Sequence, residues 1–441
     1  MSINYPAELE ITPLSHAPSA TVTVPGSKSI TNRALVLAAL TAVDRECYLG
    51  NVLGSEDTEV MLSALGALGF HLFGEPITGG VRIVRNYGKE RSDLPIPATA
   101  ANLDVANSGT SMRFLTAMLS LGQGRYRLDG IPRMRERPIR DLLEALRQLG
   151  ANTVSELDTG CPPVVVEANG LRGGRVRMRA DISSQYLSAV LMAAPFADRD
   201  VEIELDGTLV SEPYIEMTLR MMRSFGLQVE QNSPGRFHVQ HHNGEQSLTN
   251  YYIEPDASAA SYFWAAAAVA GGRVTVSGLN RKSLQGDVRF VDVLEQMGCR
   301  VEECDAGITV HGGKLRGVDV DMNDISDTVM TLGAVACFAE GPTTIRNVGH
   351  IRHKETDRIA ALATELRKLG AEVEERDDGL TITPRPLTGC AVDTYNDHRM
   401  AMSLALVGLK VPGVVIRNPG CVAKTYPGFW QDLQALHRDA V

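Results

Sequence analysis

Residues 143–154 read LEALRQLGANTV, an amphipathic helix that closes on leucine and glycine and turns at once into a β-prone stretch. Its apolar residues fall on one side and Glu144, Arg147 and Gln148 on the other, so the helix should keep a charged face in water. Gly150 stands where a helix stops in the left-handed conformation, which a residue without Cβ adopts at no steric cost. The same phrase recurs as LSALGALGFHLF (62–73), LRMMRSFGLQVE (219–230), LEQMGCRVEE (294–303) and TELRKLGAEVEE (364–375). The junction glycines Gly69, Gly150, Gly226, Gly298 and Gly370 recur at roughly 70 to 80 residues, a longer period than the common solenoids.

A second helix type alternates with the first and is apolar on nearly every side. Its six copies are NRALVLAAL (32–40), MRFLTAMLSL (112–121), QYLSAVLMAAPF (185–196), ASYFWAAAAVA (260–270), DTVMTLGAVACF (327–338) and RMAMSLALVGL (399–409). Helices without a polar face must be buried. Between them lie β-branched runs such as TVTV (21–24), VRIV (81–84), VEIEL (201–205), RVTV (273–276), TTIR (343–346) and LTITP (380–384). The pattern predicts an α/β fold of six βαβαββ units, three per lobe. One lobe comprises residues 26–253. The other comprises 1–25 plus 254–441, with the N-terminal AELEITPL completing the sixth unit. Ligands are expected in the cleft between the lobes.

Composition narrows the function. The 441 residues carry 43 Lys plus Arg against 53 Asp plus Glu, a net charge of −10 that argues against nucleic acid or an anionic membrane as partner. Seven scattered cysteines without a C-x-x-C pair suit reduced thiols and a cytoplasmic protein. No secretory signal is apparent at the start, and the longest apolar runs are shorter than a membrane span. His241 with His242, and His350 with His353, lack the cysteine or carboxylate spacing of a metal site, so no metal is expected.

What precedes the helices is the unexpected feature. TVPGSKSITNRALVLAAL (23–40) places Lys28 and Arg33 at a helix N-terminus, where partial positive charge disfavours cations unless an anion joins them. A Walker loop is excluded, because Ser27 and Val22 stand where it needs glycines. Other buried helices begin at Asn107-Ser108-Gly109-Thr110 with Arg113, at Ser183-Ser184-Gln185, at Asp256, at Asp327 and at Asp397-His398-Arg399. Capping explains the Asp, Asn, Ser and Thr residues, but not the cations. Outer helices repeat the pattern with Arg133, Ser211 and Tyr214, Arg289, Lys354-Glu355 with Arg358, and Lys424. If Lys354 and Arg358 are both helical, like charges stack one turn apart. A cleft lined by such residues suits substrates bearing phosphate and carboxylate. Asp327 and Glu355 interrupt the cations. A helix cap and a structural ion pair are their simplest readings, while two carboxylates also suit a reaction that removes one proton and delivers another. Neighbouring cations favour their ionised forms, so a glutamic acid donor must gain its proton once ligands enclose it.

PGSKSITNRALVLAAL, NSGTSMRFLTAML, GIPRMRERPI, SSQYLSAVLMAAP, VSEPYIEMT, DASAASYF, QGDVRF, KETDR, YNDHRMAMS and AKTYP, in this order along the chain, resemble the 5-enolpyruvylshikimate-3-phosphate synthases, an enolpyruvyl transferase family. The resemblance implies the two-lobed inverse α/β fold, no cofactor, and transfer of the enolpyruvyl group of phosphoenolpyruvate to the 5-hydroxyl of shikimate 3-phosphate with release of phosphate. It implies shikimate 3-phosphate binding by Lys28, Ser29, Arg33, Ser183, Ser184, Gln185, Ser211, Asp327, His350 and Lys354. Phosphoenolpyruvate would be held by Lys28, Gly109, Arg133, Gln185, Arg358, Arg399 and Lys424. Asp327 would be the base and Glu355 the acid, with Lys28 where both substrates meet. His350 stands where the family often has Asn, and Phe114 where Pro or Leu is frequent. Since Gly109 is kept, glyphosate is expected to inhibit, a side chain there crowding the phosphoenolpyruvate pocket. A monomer is expected. Two other readings stay open: the sister enolpyruvyl transferase acting on UDP-N-acetylglucosamine, and a noncatalytic phosphometabolite-binding protein on the same repeats.

Overall fold

A computed structural model describes residues 4–75, 79–88, 93–179, 181, 183–207, 209–244 and 248–438. The first three residues of the segment screened for a leader, and the last three of DLQALHRDAV, lie outside the described residues. Each junction glycine ends its helix with positive φ, from 81° at Gly226 to 110° at Gly298, as a left-handed C-terminal stop requires.

The chain forms two compact units, residues 1–25 with 254–441 and residues 26–253. In the unit 26–253, three sheets of four strands share one plan. Ala100–Asp104 runs parallel to Gln123–Asp129, which pairs antiparallel with Val164–Asn169, which pairs antiparallel with Asn152–Ser155. Gly174–Arg179, Val201–Asp206, Arg236–Val239 and Val229–Ser233 repeat this order. The remaining sheet takes its parallel strand, Asn250–Tyr252, from the far end of the unit to flank Cys47–Gly50.

The unit with both termini contains two more such sheets and one of three strands. Ser19–Val22 pairs in parallel with Arg273–Ser277, although it precedes the first helix of the other unit. The three-stranded sheet is completed by Glu8–Glu10, antiparallel to Val415–Arg417. The N-terminal segment therefore supplies a strand that the C-terminal repeat does not encode.

The layers follow from the two helix types. In Lys28–Thr41, Gly109–Leu119 and Ser184–Ala193 nearly every residue is buried, and these helices pack together as the centre of their unit. Ala257–Ala270, Val329–Ala336 and His398–Gly408 do the same in the other unit. Such all-round burial is possible because the helices contribute few polar side chains. Amphipathic helices such as Arg140–Gln148 bury only one side, Leu142, Leu143, Ala145 and Leu146. Strands such as Asn152–Ser155 alternate inward and outward residues, which puts sheets on the outside.

Candidate active site

In the unit 26–253, one buried cation fixes where the helix starts lie. Arg33, 1% exposed, donates through Nε to Thr218 Oγ1 (2.7 Å), through Nη2 to Ser188 Oγ (3.0 Å) and through Nη1 to the Ser29 carbonyl (3.0 Å). Its partners lie within the first two turns of helices Lys28–Thr41, Ser184–Ala193 and Glu212–Ser224, so the three N-terminal halves gather at one end. Asn32 Nδ2 donates to Thr110 Oγ1 (2.7 Å) and brings the start of Gly109–Leu119 to the same place. Four helix N-termini converging on one region focus positive potential there.

The expected ligand residues line these starts. Lys28 opens its helix and lies 3.5 Å from Asp57 Oδ2, a counter-ion not anticipated from sequence. Ser183 caps Ser184–Ala193 by accepting from the Gln185 amide, with Ser184 and Gln185 next in the first turn. Ser211 precedes its helix with φ 54°, a left-handed conformation that a serine adopts only when its surroundings impose it. Arg133 pairs with Glu136 at 2.8 Å on a part-exposed 3-10 turn. Arg113 turns its Nη2 to the Pro138 carbonyl at 2.7 Å. Phe114 places its ring 5.1 Å from the Arg33 guanidinium carbon, a cation–π contact available because this residue is aromatic. Burial lowers the Arg33 pKa to about 10, still fully charged near neutrality.

At Gly109 the structure shows what a side chain would meet. A Cβ built there would lie 2.5 Å from Arg137 Nη2, so the first group crowded is that guanidinium. Arg137 is 5% exposed and donates to the Asn107 carbonyl, just before the helix start.

In the other unit the charged residues condense on Asp327. Lys354 Nζ (2.6 Å) and Arg358 Nη1 (3.1 Å) donate to its Oδ1, and Arg399 Nη2 (2.7 Å) to its Oδ2. Asp327 is therefore not a helix cap. It lies in the 3-10 segment Asn323–Thr328, and the helix begins at Val329 with Thr328 before it. Lys354 and Arg358 do not stack as like charges on one helix either. Arg358 is the first residue of Arg358–Lys368, Lys354 lies in the preceding turn, and Asp327 bridges them.

Glu355 Oε2 accepts from Arg358 Nη2 at 2.9 Å, so the expected ion pair is present. Asp397 also binds Arg358, accepting from Nε (2.7 Å) and Nη2 (3.2 Å), while capping His398–Gly408 through the Arg399 amide. The expected surplus of cations is thus largely matched by carboxylates in this unit. Burial alone would lower the pKa of Arg358, but Asp397, Glu355 and Asp327 together raise it well above the ordinary value. For Lys354 burial prevails over Asp327 and lowers it. Asp287, buried and hydrogen-bonded by Ser258 Oγ, has its carboxyl raised to about 6, first by burial and then by Asp327. His350 Nε2 lies 3.0 Å from Ser326 Oγ, and burial lowers its pKa to about 3. Lys424, 6% exposed, ends the 3-10 segment Pro419–Lys424, which packs on His398–Gly408.

Hydroxyls again tie the helix starts together: Ser261 to Thr331 (3.1 Å) and Thr331 to Ser403 (3.4 Å). Sequence reasoning missed Asp57, the pairing role of Asp397, and Asp287. Asp397 was hidden because an aspartate heading a helix is fully explained as its cap. Among the described residues no group of His, Cys, Asp and Glu could hold a metal ion, and no helix is long and apolar enough to cross a membrane.

Fold and site thus define an α/β protein of repeated units with basic and hydroxyl residues at its helix N-termini and a carboxylate that accepts from Lys354, Arg358 and Arg399. Comparison with known proteins is specific. The chain belongs to the EPSP synthase (3-phosphoshikimate 1-carboxyvinyltransferase) family, whose profile matches residues 15–433. It is 49% identical over 423 residues to the 3-phosphoshikimate 1-carboxyvinyltransferase of Nostoc punctiforme, covering 96% of this chain and 97% of the relative. It is 47% identical to the chloroplastic protein of that name from Solanum lycopersicum, covering 97% of this chain and 84% of the relative. The EPSP synthase structure from Acinetobacter baumannii superposes with a TM-score of 0.79 at 26% identity, covering 97% of this chain and 98% of that one.

Proposed function

We propose that this chain transfers the enolpyruvyl group of phosphoenolpyruvate to the 5-hydroxyl of shikimate 3-phosphate. The observation that carries the assignment to these residues is the carboxylate of Asp327, gripped by Lys354, Arg358 and Arg399 beside Glu355. An arriving phosphate or carboxylate competes with Asp327 for Lys354 and Arg399, which strengthens Asp327 as a base.

The 5-hydroxyl oxygen then bonds to C2 of phosphoenolpyruvate as Asp327 takes its proton, and Glu355 delivers a proton to C3. The tetrahedral adduct loses phosphate and a C3 proton to give the enol ether. Lys354, His350, Lys28, Ser29, Arg33, Ser183, Ser184, Gln185 and Ser211 serve shikimate 3-phosphate. Arg358, Arg399, Lys424, Arg133, Gln185, Gly109 and Lys28 serve phosphoenolpyruvate. Preorganised cations and helix N-termini suit charge that shifts onto departing phosphate.

Inorganic phosphate release, measured with each substrate omitted in turn, tests the reading. Release only when both are present supports it. Turnover with UDP-N-acetylglucosamine and none with shikimate 3-phosphate, or binding without release, overturns it.

A further inference from the structure

Helix Arg358–Lys368 carries a second buried charge that the proposed reaction does not use. Glu365, two turns after Arg358 and on the same side of the helix, is 0% exposed. Its Oε1 accepts from Tyr395 OH (2.6 Å) and Lys368 Nζ (2.9 Å), and its Oε2 accepts from the Asp393 amide (3.0 Å). Lys368 Nζ in turn reaches Asp393 Oδ2 at 2.7 Å. A carboxylate so far from water persists only when its lone pairs are satisfied in this way.

What Glu365 grips is a strained turn. Tyr395 and Asn396 are consecutive non-glycine residues with positive φ, 53° and 55°, held immediately before Asp397. A tyrosine rarely adopts that geometry, and two such residues in succession must be imposed by contacts. The turn closes through the Asp397 amide donating to the Thr394 carbonyl (2.8 Å) and through Asn418 Nδ2 donating to Asn396 Oδ1 (3.1 Å). Asp397 then holds Arg358 and caps the helix that carries Arg399. One helix therefore clamps the segment 393–397 at two places, Glu365 on its approach and Arg358 at its end.

We infer that Glu365 is a positioning residue of this enzyme: with the Tyr395 hydroxyl it holds the left-handed turn Tyr395–Asn396 that aims Asp397, and through Asp397 it sets Arg358 and Arg399. Burial and the Glu365 contact raise the Tyr395 phenol to about 12, so the hydroxyl keeps its proton to donate throughout the working pH range. The inference rests on the reading of Arg358 and Arg399 as phosphoenolpyruvate ligands.

Two variants test it, Glu365→Gln and Tyr395→Phe. The second removes one hydroxyl from a side chain that is 41% exposed, so it folds even if the first does not. The expected result is a KM for phosphoenolpyruvate raised by about tenfold, the worth of one charge-assisted hydrogen bond, with the KM for shikimate 3-phosphate within about twofold of the parent. A merely structural role would lower thermal stability and leave both KM values alone. Amide hydrogen exchange of residues 395–399, measured without substrate, should speed up in both variants. Unchanged exchange, or an unchanged KM for phosphoenolpyruvate, overturns the inference. If the parent protein releases no phosphate from any pair of substrates, the functional reading falls instead, and exchange alone decides whether Glu365 holds the turn.

Discussion

Replacing His350 by Asn should change how stability depends on pH. Burial lowers the His350 pKa to about 3, helped by Lys354, His353 and Arg358 and opposed by Asp327, whereas an unfolded histidine titrates near 6.5. Because the folded pKa is the lower one, the unfolded chain binds the extra proton between these values. The contribution is fully present above about pH 6.5 and is lost as pH falls toward 3. The slope within the window approaches about 1.4 kcal/mol per pH unit, and the loss reaches about 2 kcal/mol at pH 5. Asn has no titration to lose, although it is too short to replace the contact of His350 Nε2 with Ser326. Urea unfolding of both proteins from pH 7.5 to 4.5 reads the effect, since the other titrating groups cancel in the difference. The gap between the two curves should move by about 2 kcal/mol in favour of the His350→Asn variant on going from pH 7.5 to 5. Parallel curves would mean that His350 protonates in the folded chain as readily as in water, and the enclosed site described for it would be wrong.

Asp327→Asn should lower turnover by about 100-fold or more, the usual worth of a general base, with circular dichroism unchanged; parental rates of phosphate release would remove Asp327 from the mechanism. Asp397→Ala should cost about 2 kcal/mol or more in chemical denaturation, because it removes a helix cap and two charge-assisted hydrogen bonds to the buried Arg358, which keeps Glu355 and Asp327 as partners. Asp397→Asn, which keeps the helix cap, should cost less, and equal losses would contradict the double role of this residue. Gly109→Ala should displace Arg137 and weaken both phosphoenolpyruvate binding and inhibition by glyphosate. Inhibition titrations check this, and adding Arg137→Ala should shrink the effect of the methyl group if the guanidinium is what it strikes.

The repeats were legible because they are written in local terms. A glycine after an amphipathic helix and a run of small apolar residues each have one good solution, and Gly150 or Ala257–Ala270 adopt it without reference to the rest of the chain. Cations at helix starts were legible for the same reason, being locally unfavourable at Lys28 and Arg33. Residues that also satisfy an ordinary local role were hidden. Asp397 caps a helix and so needed no further explanation, and Glu365 looked like one more charge on an outer helix.

Sequence alone determined six repeats, two helix types, a chain of net negative charge, and the identity of most of the charged residues gathered at helix starts. Only tertiary structure decided which carboxylate meets which cation. It made Asp327 the partner of Lys354, Arg358 and Arg399 and set Arg137 against Gly109. The physical reason is range: helix stops and burial patterns are set within a few residues, whereas Coulomb and hydrogen-bond partners are chosen by distances of a few ångströms between segments far apart in the chain.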